Sequence, residues 1–335
     1  MDDQNTIKPI PERKILLIER DDQYFTPLEL IPDDFNDTVI PFARQYFKQD
    51  NDCDMFCQNI KVRDFSIWHH EVLAKKNILL TPYSPRHILT LHFNQADAVV
   101  ANIHGRGDFN MVGRQICLFN LPEQMHTVPV IPGIQISSFH INIIPGCMGA
   151  LVREFPELKG LLSKKITDQS EPLNQRDCTT NIAIQLLLDV IKDCRLIEDQ
   201  AECLLRRCCV AIFSNYLCQD ATPEGIRRPV DDDTLIKVFD YLKDNVHLES
   251  PLMHTAFLFN LPSAVLAGAF ENMFYIPLED FAFQQKMLKA YQRLVYENIS
   301  LSDIAQSIGL PDENVFTIAF INYFHCDPVY IRNAQ

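Results

Sequence analysis

The sequence predicts an α+β protein in which a small antiparallel β-barrel or sandwich precedes a helical hairpin and an all-α C-terminal region. Three observations carry this. Between residues 61 and 145, short runs rich in β-branched and aromatic residues are separated by Gly, Pro and Asn, the pattern of a compact antiparallel sheet. Beyond residue 145, apolar side chains recur at helical spacing. The polar stretch QDATPEGIRRPVDDD, with its Pro and Gly, divides that helical part as an interdomain linker would. A length of 335 residues favours two domains. The expected bounds are 1–165 for the barrel-like domain, 174–218 for the hairpin, 219–231 for the linker and 232–335 for the C-terminal domain.

Residues 1 to about 60 show acidic turns, DDFND and KQDNDCDMF, around short apolar pieces, and no clear period. DFSIWHHEVLA, RHILTLHFN, ADAVVANIHG, RQICLFNLP and IQISSFHINI then read as strands. In HILTLHFN, Leu89, Leu91 and Phe93 take one face, while Thr90, His92 and Asn94 take the other. In SSFHINI, Phe139, Ile141 and Ile143 oppose Ser138, His140 and Asn142. Two amphipathic helices follow, marked by Ile184, Leu187, Leu188 and Ile191, then by Leu205, Cys208, Cys209 and Ile212. They suit an antiparallel hairpin that packs on the barrel or pairs with a second subunit. Asp231 to Asp233 cap a helix carrying Leu235, Val238, Phe239 and Leu242. A helix pair over 251–275 breaks near Asn260–Pro262, and a longer helix over 278–297 buries Met287, Leu288, Tyr291, Leu294 and Val295. The last stretch, LSDIAQSIGLPDENVFTIAFINYF, holds two short helices punctuated by Gly309 and Pro311. The order is helix, helix-turn-helix, linking helix, helix-turn-helix.

A hydrophobic fraction of 47% is ordinary for a soluble globular protein. The net charge of −14, from 30 basic and 44 acidic side chains, disfavours nucleic acid unless one surface is locally basic. Eleven cysteines form no spaced framework, the N-terminus lacks an apolar signal-like core, and no apolar run approaches a membrane span. A cytoplasmic protein with reduced thiols and no membrane attachment is expected. Cys203, Cys208 and Cys209 share a helix without a CxxC, so helix packing is their expected role. A metal-binding cupin-like barrel would show an HxH pair followed closely by Glu, and this chain has none; neither metal nor cofactor is expected. No nucleophile elbow, P-loop, dinucleotide fingerprint or HExxH occurs, so the chain is not expected to be an enzyme. His92, His104 and His140, in strand-like runs, are the candidate effector-binding residues, because barrel mouths are common ligand sites.

In the second motif, Ile304-Ala305, Gly309-Leu310, Phe316, Ala319-Phe320, Tyr323-Phe324, Asp327-Pro328 and Ile331-Arg332 follow one another in order. With these residues the C-terminal 105 residues resemble the double helix-turn-helix domain of the AraC family of transcription regulators. The first motif matches through Leu261, Leu266, Phe270, Phe274, Phe281 and Ala290. The resemblance implies sequence-specific DNA binding controlled by a small effector in the N-terminal domain, and a hairpin that forms a homodimer.

The departures concern charge. Where the family carries Arg and Lys, this chain has Gly268 and Glu271, then Ile318 and Ile321. Tyr275 and His325 stand at the usual turn glycines. Residues 251–335 hold four basic and eight acidic side chains. By the resemblance, the candidate DNA contacts are Ser263 and Ala264, then Asn314, Thr317, Ile318 and Ile321, with Arg332. Lys286, Lys289 and Arg293 form one stripe of the linking helix that suits a DNA backbone or a solvated face. Ile318 and Ile321 leave open a second reading, a regulator-derived sensor or protein-interaction protein that does not contact DNA.

Overall fold

The computed structural model describes residues 11–20, 33–95, 98–196, 198–223 and 229–333, so residues 224–228 of the expected linker lie outside the described residues. The chain divides into two compact units, Met1–Thr180 and Asn181–Gln335. The α+β class is as expected, and the first unit is a β-sandwich.

Its strands are β1 (Glu12–Leu17), β2 (Arg44–Gln49), β3 (Cys53–Val62), β4 (Phe65–Ala74), β5 (Ile78–Tyr83), β6 (Ile88–Asn94) and β7 (Ala98–Ile103). Then come β8 (Gly107–Val112), β9 (Gln115–Leu121), β10 (Val128–Val130) and β11 (Gln135–Ile143). After helix α1 (Met148–Glu154) come two short strands, β12 (Glu171–Pro172) and β13 (Cys178–Thr179). The main sheet runs β12-β9-β6-β11-β4-β3-β2, with β13 also on β9; a smaller sheet runs β1-β5-β10, and β7-β8 forms a hairpin. One pairing departs from an all-antiparallel sheet, because β1 lies parallel to β5.

Side chains from both sheets share one core, with Leu16 of β1 and Leu80 of β5 clustered with Met55 of β3, Val72 of β4 and Phe119 of β9. The polar faces read from the sequence are also covered. In β6, Leu89, Leu91 and Phe93 are buried, but so are Thr90 and Asn94, with His92 half-buried. Register aligns Trp68, His140 and His92 as direct neighbours across β4, β11 and β6.

The second unit is all helix: α2 (Ile182–Lys192), α3 (Glu198–Ala221), α4 (Asp232–Asp244), α5 (Pro251–Leu258), α6 (Ser263–Phe274), α7 (Leu278–Tyr296), α8 (Leu301–Ser307), α9 (Glu313–Phe324) and α10 (Pro328–Asn333). Side-chain oxygens start four of them: Asn181 accepts from Ile184 N, Asp231 from Thr234 N, and Asp312 from Val315 N, while Ser300 and Asp303 form a capping box. Helices α5 and α6 meet at 103°, within the range of a helix-turn-helix. Landmarks of α6 return fifty residues later in α9: Leu266 and Phe316, Phe270 and Phe320, Phe274 and Phe324 are all buried. Tyr275 (φ 53°) and His325 (φ 57°) both end their helices in the left-handed conformation.

The hairpin packs along the helices that follow it. Near the start of α3, Gln200 Nε2 donates to Ile331 O at 2.9 Å, and Tyr291 Oη donates to Gln200 O at 2.6 Å. The Arg207 guanidinium lies 4.3 Å from the Tyr323 ring centre. Toward the end of α3, Asn215 Nδ2 donates to Phe274 O at 2.6 Å. One helix thus touches both motifs. Around α4, Phe239 stacks on Phe281 at 4.2 Å in the first motif's core. Among the described residues, no single helix is long and apolar enough to cross a membrane.

Candidate nucleic-acid interface and barrel cavity

The outer faces of α6 and α9 are open, and neither helix contains Lys or Arg. At the start of α6, Ala264 is exposed, while half-buried Ser263 donates its hydroxyl to Met253 Sδ at 3.4 Å. In α9, Asn314 is exposed and Thr317 half-buried. Ile318 is 62% exposed and Ile321 39%, so neither is drawn into the core. The N-terminus of α9 is occupied by acids: Asp312 caps it at 2.9 Å from Val315 N, and Glu313 is exposed beside it. They favour the helix through its dipole and oppose a phosphate there.

The linking helix corrects one expectation. Lys286 is only 7% exposed and does not belong to a surface stripe. Its ammonium donates to Leu248 O at 2.8 Å and Ile308 O at 2.9 Å, stitching the α4–α5 loop to the turn after α8. Burial lowers its pKa. Lys289 is exposed, and half-buried Arg293 donates to Glu297 at 3.0 Å. Half-buried Arg332 carries two buried guanidinium nitrogens, Nε and Nη2, that meet no hydrogen-bond acceptor among the described residues. The surface basic groups near the motifs are therefore few.

In the first unit, a cavity of about 130 Å³ opens between the sheets. Its walls are mainly apolar, from Leu16 and Leu80 through Phe109, Phe119 and Leu121, with polar points at Thr90, His92, Asn94, His126, Ser137, Ser138 and His140. Among the described residues, no Asp, Glu, Lys or Arg lines it. His140 Nε2 donates to Ile18 O at 3.1 Å, which fixes its neutral tautomer with Nδ1 as acceptor. Its ring stacks on His70 at 5.1 Å and His92 at 6.2 Å, and His70 in turn stacks on Trp68 at 5.3 Å.

Burial lowers the pKa of His92 to about 4, of His126 to about 4 and of His140 to about 3. For His126 and His140 the positive charge of neighbouring imidazoles adds to the effect. The imidazoles are neutral near pH 7. Thr90 is 3% exposed, and its Oγ1 meets no hydrogen-bond partner among the described residues. Such a hydroxyl costs on the order of 1–3 kcal/mol. Asn94 is already committed, donating to Met111 O at 3.1 Å and Val112 O at 2.8 Å.

Of the three candidate histidines, the structure places His92 and His140 on this cavity. His104 lies in the exposed turn between β7 and β8, and only its backbone N reaches inward, to His126 Nδ1 at 3.3 Å. His126 takes the place sequence reasoning gave His104, and its position in a connecting segment hid it. Thr90 was visible as part of the polar face of HILTLHFN, but not its missing partner. Among the described residues, no three His, Cys, Asp or Glu side chains gather to hold a metal ion.

No family model matches the chain, and no curated protein does. Among solved structures, the chain is similar to ToxT from Vibrio cholerae, at 11% identity, covering 80% of this chain and 98% of that one with a TM-score of 0.31. It is similar to an AraC-type transcriptional regulator from Chromobacterium violaceum, at 18% identity over 31% of this chain and 94% of that one, TM-score 0.28. A DNA-binding transcriptional dual regulator from Escherichia coli K-12 is similar at 19% identity over 30% and 97%, TM-score 0.28.

Proposed function

We propose that this chain is an AraC-like transcription regulator whose second unit binds specific DNA under the control of a small molecule held in the first. The observation that carries it is the doubled motif, α5–α6 and α8–α9 joined by α7, with its fifty-residue echo of core positions. Two helices with open outer faces suit two major grooves. Asn314 and Thr317 supply base-reading groups there. A ligand biases such a regulator only if it has different affinities for two arrangements of the protein.

The scarcity of surface Lys and Arg sets the character of the binding. Each neutralised phosphate contributes about −0.9 to the slope of log affinity against log salt. With exposed Lys289 and half-buried Arg293 as the surface cations on α7, the slope is about −2, and specificity rests on base contacts and DNA shape. Fluorescence anisotropy of the full chain with promoter fragments, at low and moderate salt, tests the reading. Sub-micromolar, sequence-dependent binding with a shallow slope supports it, and absence of binding even at low salt overturns it.

A second reading is favoured by one observation, the exposure of Ile318 and Ile321 on α9. A paired apolar face in place of cations fits a protein partner, which would make the chain a regulator-derived interaction protein. Ile318→Arg with Ile321→Lys separates the two. If the wild type does not bind DNA and this variant does, with steep salt dependence, the second reading holds.

A further inference from the structure

We propose that the cavity between the sheets of the first unit takes an uncharged, largely apolar molecule of about one substituted ring, held by a hydrogen bond to Thr90. The proposal rests on the effector reading above for its regulatory meaning, but its ligand class comes from the walls alone.

Size is the first constraint. The 130 Å³ space is close to the engineered apolar cavity of about 150 Å³ that binds benzene. Charge is the second. A carboxylate or ammonium in this space would lose its hydration and meet no counter-charge, because among the described residues the walls carry no ionised side chain. The imidazoles of His92, His126 and His140 remain neutral because burial opposes their protonation.

A neighbouring, larger space of about 350 Å³ does carry cations, Arg20 and Lys48, so an anion has a better site there. Polarity is the third constraint. A sugar needs several converging donors and acceptors, whereas Asn94 is committed to two carbonyls and His140 to Ile18 O. Among the polar points, Thr90 Oγ1 is buried, on the wall and without a partner among the described residues. A ligand hydroxyl or carbonyl would satisfy it and recover the cost of its burial.

The test uses purified full chain with p-cresol, p-toluate and glucose at equal concentration, followed by calorimetry and thermal melting. Only p-cresol is expected to bind and to raise Tm with concentration. Thr90→Val, which keeps the shape, is expected to melt no lower than the wild type and to weaken p-cresol roughly tenfold. Thr90→Ser should retain binding, and Ala101→Leu, which fills the cavity, should abolish it. Equal or tighter binding of p-toluate overturns the proposal, as does p-cresol binding unchanged in both Thr90→Val and Ala101→Leu, or no p-cresol binding at all. Promoter anisotropy with and without p-cresol keeps the two readings apart. Binding by the stated rules with no change in DNA affinity upholds the ligand class and overturns only the control of DNA by this cavity.

Discussion

Gly309 and Lys286 meet the same short loop from two sides. Gly309 has φ +72°, and a Cβ there would lie 2.0 Å from His247 O. Both the backbone conformation and the space demand glycine. Gly309→Ala is therefore expected to cost about 3 kcal/mol, seen as a lower urea midpoint, with no direct loss of any candidate DNA-contacting group. Lys286→Met removes the donor shared by Leu248 O and Ile308 O and leaves two carbonyls without that partner. About 2 kcal/mol of stability should be lost, while the salt slope of the proposed DNA binding stays unchanged because this ammonium does not face solvent. An altered slope in a folded Lys286→Met protein would show that it does touch phosphate.

At the scale of elements, legibility followed how many faces were buried. The strands β6 and β11 were readable because Leu89, Leu91 and Phe93, or Phe139, Ile141 and Ile143, alternate cleanly with polar residues. Strand β3, Cys53–Val62, is buried at nine of its ten positions, so Asp54, Gln58 and Asn59 sit inside and no period shows. Strand β1 pairs in parallel with β5, sixty-six residues away, a partnership no local pattern announces. The helices of the second unit were readable from caps and apolar spacing together. What spacing could not supply was which cation on α7 lies beneath a loop, since Lys286, Lys289 and Arg293 share a stripe in projection.

The two left-handed helix ends were legible only through the resemblance, which puts turn glycines where Tyr275 and His325 stand; both occupy a conformation that favours glycine. His325→Gly is expected to stabilise by up to about 1 kcal/mol, whereas β-branched His325→Val should lower Tm. A drop in both variants would mean that the His325 side chain contributes more than its backbone costs.

For the whole molecule, the row of neutral imidazoles couples stability to acid. The folded pKa values of His92 and His126, about 4, and of His140, about 3, lie below the ordinary 6.5. The unfolded chain therefore binds these protons first. Stability is complete above about pH 6.5 and declines as pH falls toward 3–4. Between pH 7 and 5 the loss should be about 1–2 kcal/mol per histidine, measurable as a falling urea midpoint of the first unit. His140→Phe should flatten that decline, and an unchanged slope would exclude it as a contributor.

If the second unit binds DNA as proposed, the long helix α3 constrains the operator. Gln200 holds the end of the second motif and Asn215 the end of the first, fifteen residues apart on one rod, or about 22 Å. With α7 as the other member, the two motifs form a braced frame whose width is set by helical rise and not by a flexible joint. Such a frame acts as a calliper. On that reading its operator must offer two contact blocks at one spacing, and five added base pairs between them should abolish binding, whereas the same insertion outside the blocks should leave it intact. Asn215→Ala loosens one jaw and is expected to widen the range of tolerated spacings as it weakens the best one.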